Sequence, residues 1–277
     1  MLSVVNLEQP REIRRIDLAP HTRPHGVAWF ADDRIAVTAE GSQHLLIVDP
    51  SAGRVVSAIA TGQDVSHMVA VSADARRAYV TNIGSGTVTA LDLEAGRKLG
   101  DVVTGAGSEA LAITPDGREL WVAARADGQV AIVDTASLAV SARLPLPGIP
   151  IRIAMTPDGR TALVTCAGTS ELVAFDVASR GERGRRKVDV PLAPGAEQRP
   201  FARLAPGSVL PVGLLVSRDG RSAFVAATMG DRVVQYDVST LAPLGTIEVD
   251  GEPDGLGSTS VLQHAPCHAC TPSPATN

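Results

Sequence analysis

The sequence predicts an all-β fold, a β-propeller of four-stranded antiparallel blades. Three observations carry that expectation. One short apolar segment recurs: His25-Gly-Val-Ala-Trp29, His67-Met-Val-Ala-Val71, Glu109-Ala-Leu-Ala-Ile113, Ile151-Arg-Ile-Ala-Met155 and Val212-Gly-Leu-Leu-Val216, with a sixth start at Asp254-Gly-Leu-Gly-Ser258. The intervals are 42, 42, 42, 61 and 42 residues, so one repeat carries a 19-residue insertion. A period of about 40–45 residues filled with short strands marks propeller blades. Each repeat also divides into four strand-length runs bounded by turn formers. Finally, the chain is 44% hydrophobic but only 3% aromatic. Its core must be built from Val, Ala, Leu and Ile, which suit sheets packed face to face.

The second repeat shows the order of elements. Strand one is His67–Val71, and Ser72-Ala-Asp-Ala-Arg76 turns the chain. In other repeats this turn becomes Thr114-Pro-Asp-Gly117, Thr156-Pro-Asp-Gly159 or Ser217-Arg-Asp-Gly220, where Pro presets the bend and Gly accepts positive φ. Strand two, Ala78–Asn82, carries one bulky residue per repeat: Val37, Tyr79, Trp121, Leu163 or Phe224. That periodicity reads as core between blades and not as a stacking platform. A Gly-rich link, Ile83-Gly-Ser-Gly86, leads to strand three, which ends in Asp at 49, 92, 134, 176 and 237. These carboxylates read as caps of the following turn, in preference to a ladder of acidic ligands. Strand four, Lys98–Val103, completes the blade.

The propeller is expected over 1–258. Ser3–Leu18 reads as strands three and four of a blade whose first half is missing, and Asp254–Ser258 as a lone strand one. Sharing one blade between the two ends gives six blades. Seven blades of this period need about 294 residues, so the abrupt start favours an N-terminally truncated seven-blade ring. The insertion is placed at about 180–211. It begins with the basic run Arg180-Gly-Glu-Arg-Gly-Arg-Arg-Lys187 and continues as a Pro/Gly-rich loop expected over the channel face. Residues 259–277 abandon the pattern and are expected to be disordered. They contain Cys267-His-Ala-Cys270, flanked by His264, a set able to take up zinc; haem attachment needs His directly after the second Cys, where Thr271 stands.

Net charge is −5, which argues against a general nucleic-acid binder. No apolar run reaches membrane-spanning length, and the N-terminus lacks the features of a signal peptide. Cys166 stands alone in a strand, and three cysteines make no disulfide framework. The chain carries no nucleophile elbow, P-loop, dinucleotide fingerprint or zincin motif.

The segment Tyr79-Val-Thr-Asn82, followed by Ile83-Gly-Ser-Gly-Thr-Val-Thr89, resembles the namesake motif of the YVTN-type β-propeller repeat proteins. The Pro-Asp-Gly-Arg turns at 115–118 and 157–160 are similar, as are Arg23-Pro-His-Gly26 and Glu252-Pro-Asp-Gly255. The resemblance covers residues 3–258. It implies a seven-blade ring, a periplasmic or extracellular setting, and kinship with surface-layer propellers, the haem d1 domain of nitrite reductases and lactonases.

In a propeller the first residue of each strand one lies at the mouth of the central channel. Here these are His25, His67, Glu109, Ile151, Val212 and Asp254. His25, His67, Glu109 and Asp254 are ligand-binding candidates, with Arg152, His44 and Asn82 nearby; Glu40 lies on the same face. His25, His67 and Glu109 form a donor set for a divalent metal or for orienting a polar ligand. The competing reading is a solvated polar rim. The sequence favours a non-catalytic, monomeric binding or scaffold protein that holds a small polar ligand or a protein partner on the channel face. An alternative is a metal- or haem-associated enzyme domain, lactonase-like or d1-haem-like, centred on His25, His67 and Glu109. A weaker one is nucleic-acid binding through Arg183, Arg185 and Arg186.

Overall fold

A computed structural model describes residues 1–6, 11–31 and 33–258. The described residues are all-β: five four-stranded antiparallel sheets and one two-stranded sheet. The two-stranded sheet pairs β1 (Leu2–Asn6) with β2 (Arg11–Ile16). Blade 1 contains β3 (Pro24–Phe30), β4 (Arg34–Ala39), β5 (His44–Asp49) and β6 (Arg54–Ala60). Blade 2 contains β7 (Ser66–Val71), β8 (Arg77–Asn82), β9 (Thr87–Asp92) and β10 (Arg97–Val103). Blade 3 follows with β11 (Ser108–Ile113), β12 (Glu119–Ala124), β13 (Gln129–Asp134) and β14 (Ala139–Pro145). Blade 4 has β15 (Pro150–Met155), β16 (Thr161–Cys166), β17 (Glu171–Asp176) and β18 (Glu182–Lys187). Blade 5 has β19 (Pro211–Val216), β20 (Ser222–Ala227), β21 (Arg232–Asp237) and β22 (Pro243–Glu248). Each sheet is a meander, and the inner strands β3, β7, β11, β15 and β19 are neighbours in that order.

Burial explains the order. Alternate residues of a strand face opposite neighbours, so each blade contributes apolar side chains to two interblade layers. Val69, Ala78, Val80 and Leu91 of blade 2 pack with Ala36, Leu45 and Ile47 of blade 1. Tyr79, Val88 and Ala90 of the same blade pack with Leu111, Leu120 and Val122 of blade 3. Trp121 is fully buried between blades 3 and 4, tilted against Phe175 at 6.1 Å. The β1–β2 sheet lays Ile16, Leu2 and Val4 on Ile35, Val37 and Leu46 of blade 1. The Asp that ends each strand three caps the next turn. Asp49, Asp92, Asp134, Asp176 and Asp237 each accept the amide three residues on.

Three sequence expectations are corrected. Residues 182–187 are not part of the insertion: β18 pairs with β17 in register from Glu171↔Lys187 and is the outer strand of blade 4. Its cations are spent on the blade, with Arg185 on Glu171 and Glu182, and Arg183 on Thr161. That leaves the nucleic-acid alternative without its free basic run. The insertion proper follows Lys187 and reaches Leu210, with short 3-10 turns at Ala196–Gln198 and Pro200–Arg203. Residues Asp254–Ser258 form no strand, although Thr228 Oγ1 donates to the Pro253 carbonyl at 2.7 Å and docks this segment beside blade 5. The expectations for 259–277, including Cys267 and Cys270, lie outside the described residues.

A threonine near the end of strand two ties neighbouring blades. Met68 N–H donates to Thr81 Oγ1 at 3.0 Å, and Thr81 Oγ1 donates to the Glu109 carbonyl of the next blade at 2.7 Å. Thr38 makes the same pair of bonds with Gly26 and His67. Thr165, at the equivalent place in blade 4, has a buried hydroxyl with no partner. Thr81→Val should therefore cost about 1–3 kcal/mol by orphaning buried backbone groups, while Thr165→Val should be neutral or stabilising. Urea unfolding of the two variants checks the contrast.

Candidate functional site

In every blade the first residue of the apolar segment sits at an irregularity. The strand-one to strand-two register shifts between Pro24 and Val27, Ser66 and Val69, Ser108 and Ala110, Pro150 and Arg152, and Pro211 and Gly213. Such bulges carry an extra residue and re-aim side chains. They hold His25, His67, Glu109, Ile151 and Val212 off the regular ladder.

On one side of the mouth these residues meet. The rings of His25 and His67 stack with centroids 3.8 Å apart and planes inclined by 28°. His67 is buried, and its Nδ1 lies 2.6 Å from Glu40 Oε1. Because a carboxylate only accepts, Nδ1 carries the proton. Its Nε2 is 3.7 Å from Glu109 Oε1 and has no hydrogen-bond partner. Glu109 is 4% exposed and paired with Arg125; Arg152 approaches it at 3.5 Å and reaches Asp254 at 3.4 Å. Glu40 holds Arg23 at 3.0 Å through its other oxygen. The mouth is thus a chain of polar contacts, Arg23–Glu40–His67–Glu109–Arg152–Asp254, with acids and bases in alternation. A cavity of about 450 Å³ lies beside it, lined by His25, Met68, Arg152, Leu214 and Asp254 among others.

Burial pushes the Glu109 carboxyl up, but His67, Arg125 and Arg152 outweigh it and hold it below its ordinary value. Desolvation and the neighbouring His67 push the His25 imidazole down, with Glu40 and Asp254 opposing. The residue as a whole is exposed; the desolvation comes from the ring face that rests on His67. No hydrogen bond fixes the His25 ring among the described residues.

The other candidates fall elsewhere. Ile151 and Val212 are roofed by the insertion, whose Ala193, Ala196 and Ala205 pack on them with Met229. Arg199 clamps that insertion to Asp231 through two bonds of 2.6 and 2.7 Å, and Asp231 also accepts the Glu252 amide. These bonds hold its carboxyl down to about 2. His44 lies against His21 at 4.8 Å, with Nδ1 on the Ser42 carbonyl. Asn82 is fully buried, and its amide is spent on Ser66, Thr87 and Thr89, so it offers nothing to a ligand. Cys166 is buried too, and burial pushes its thiol up to about 12. The carboxylate that joins the two imidazoles is Glu40 instead of Glu109, since Glu109 is already held by two arginines. Glu40 belongs to no strand-one start, so the repeat pattern alone does not single it out.

One exposed strip adjoins His25. Val27 and Trp29, farther along β3, are 54% and 59% exposed, and Arg23 precedes them with a side chain 70% exposed. By the repeat, Val27 and Trp29 stand where Val69 and Val71 of blade 2 meet the preceding blade, and among the described residues blade 1 is preceded by the β1–β2 pair alone.

A family model described as "Cytochrome D1 heme domain" matches residues 31–177. No curated protein sequence matches the chain. A solved chain titled "Kuenenia stuttgartiensis Hydrazine Synthase" superposes with a TM-score of 0.59 at 14% identity, covering 87% of this chain and 92% of that one. At that identity the likeness shows the propeller fold alone. No helix of the described residues is long and apolar enough to cross a membrane.

The depressed His25 pKa has a pH consequence. The unfolded state binds the proton more tightly, so this group's contribution to stability is full above the ordinary imidazole value of 6.5 and is lost as pH falls through the native value. An NMR titration of the ring should give a midpoint below 6.5. In His67→Ala, which removes the stacked ring, that midpoint should rise.

Proposed function

The chain belongs to the cytochrome D1 heme domain family, and from that premise we propose that it is a haem-associated propeller that receives an iron macrocycle over the channel mouth at His25. One observation carries the reading: His25 stands exposed at the mouth with no hydrogen bond on its ring among the described residues, beside a cavity of about 450 Å³ that Val27, Met68 and Arg152 also line. The donor chemistry fits. His25 is neutral at neutral pH and has a nitrogen free for iron. Val27 and Met68, which line the cavity beside His25, offer apolar contact. Arg23 is placed for an acidic substituent, its side chain being tied among the described residues to Glu40 alone. His67 supports the His25 ring from below, and Glu40 fixes the orientation of His67. When bound, such a group would supply one-electron chemistry at iron. A periplasmic setting goes with this reading, as does kinship with the YVTN-type repeats.

A second reading is a non-catalytic propeller that holds a small polar ligand or protein partner at the same mouth. The cavity beside Arg152 and Asp254 favours it, because its charges are fixed in a built network.

Titration with hemin separates the two. Under the haem reading the Soret band shifts and saturates at one hemin per chain. His25→Ala should weaken binding at least tenfold, and Val27→Ser should weaken it less. A wild-type protein with no saturable shift, or a His25→Ala variant that binds equally, removes the haem reading and leaves the second.

A further inference from the structure

We infer that His25, Glu40 and His67 form a site for a first-row divalent metal ion, with zinc as the type case. Each offers one ligand atom, and the three atoms lie within 4.8 Å of one another. Two imidazoles and a carboxylate make the donor set of open zinc centres, in which a fourth position is left to water or a ligand. The site faces the mouth, so that fourth position is reachable from solvent through exposed His25.

The tautomer of His67 supplies an independent reason. Without a metal, Nδ1 carries the proton toward Glu40 Oε1. Nε2 lies 3.7 Å from Glu109 Oε1 in a buried place and makes no hydrogen bond. A buried ring nitrogen left without a hydrogen bond is costly. A metal on Nδ1 moves the proton to Nε2, where it meets Glu109. That produces the carboxylate–histidine–metal arrangement found around ligating histidines, with Glu109 as the orienting carboxylate. Both carboxylates that flank His67 then have a role, one as ligand and one as support.

The charges permit it. Glu40 binds Arg23 through Oε2, leaving Oε1 for the ion. Glu109 stays with Arg125 and Arg152 and keeps its charge balanced. His25 is the adaptable ligand, since no hydrogen bond holds its ring among the described residues.

The inference needs no macrocycle and does not rest on the haem reading. The two share His25, so hemin and zinc should compete. They fail separately, because Val27 belongs only to the apolar wall of the cavity, while Glu40 and His67 bear on the ion directly.

Calorimetric titration of EDTA-stripped full chain with zinc tests the site. One ion per chain is expected. His25→Ala, Glu40→Gln and His67→Ala should each weaken binding at least tenfold, and Glu109→Gln about tenfold through the supporting shell. Val27→Ser should leave it unchanged. His25 is exposed and outside the core, so its variant reads the site even if His67→Ala does not fold. The proposal is overturned if zinc does not bind. It is equally overturned if binding survives in His25→Ala, disappears in His21→Ala/His44→Ala, or disappears in Cys267→Ser/Cys270→Ser. The last two outcomes assign the ion to the other histidine pair or to the C-terminal cysteines.

Discussion

The burial of small apolar side chains between adjacent blades is the constraint on which the rest of the molecule depends. A four-stranded sheet of Val, Ala and Leu exposes two greasy faces, and each neighbour covers one. The layers joining blades 1, 2 and 3 hold β3, β7 and β11 at fixed spacing. Everything at the mouth inherits that spacing: the His25–His67 stack, the Glu40–His67 bond and the reach from His67 to Glu109. No loop has to find its place independently. The threonine latches at Thr38 and Thr81 add direction to this packing, because each fixes a bulge in its own blade and a carbonyl in the next.

The mouth shows how electrostatics is settled when charges cannot stay in water. Glu40 and Glu109 are 9% and 4% exposed. Buried carboxylates persist only when paired and hydrogen-bonded. Arg23, Arg125 and Arg152 supply the pairs, and His67 lies between the two acids as the one member whose proton can sit on either nitrogen. The network is rigid at Glu109, which has two cations, and yielding at Glu40, whose partner Arg23 is largely exposed. That asymmetry leaves the Glu40 side freer to rearrange than the Glu109 side.

Much of the fold was legible in the sequence because its signals are local and repeated. The recurring strand-one segments fall on β3, β7, β11, β15 and β19, and the strand-three aspartates cap turns as expected. The signal failed where partners are distant in the chain. Glu182–Lys187 reads as charged loop, since an outer strand has both faces wet and needs no apolar alternation; only its pairing with β17 reveals it. At the site, the residues at 25, 67 and 109 were visible, with Glu40 and Arg152 placed on the same face, but which of them pair was not. Glu40 enters from a strand-two end, and Arg125 from the link that follows. Asn82 looks like a ligand group by position, yet its blade consumes every polar atom it has. Ile151 and Val212 are covered by an insertion whose alanines carry no recognisable motif.

The bulges at the head of each inner strand carry a wider meaning. A regular ladder ties a residue's identity to the face it must fill, so exchanging it disturbs a core. The supernumerary residue escapes that tie, because the ladder resumes correctly on either side of it. This chain places His, His, Glu, Ile and Val at five such positions without altering the blade beneath. The architecture therefore separates inheritance of shape from inheritance of chemistry: a lineage can rewrite its rim one blade at a time, and kinship in backbone says little about what any member holds.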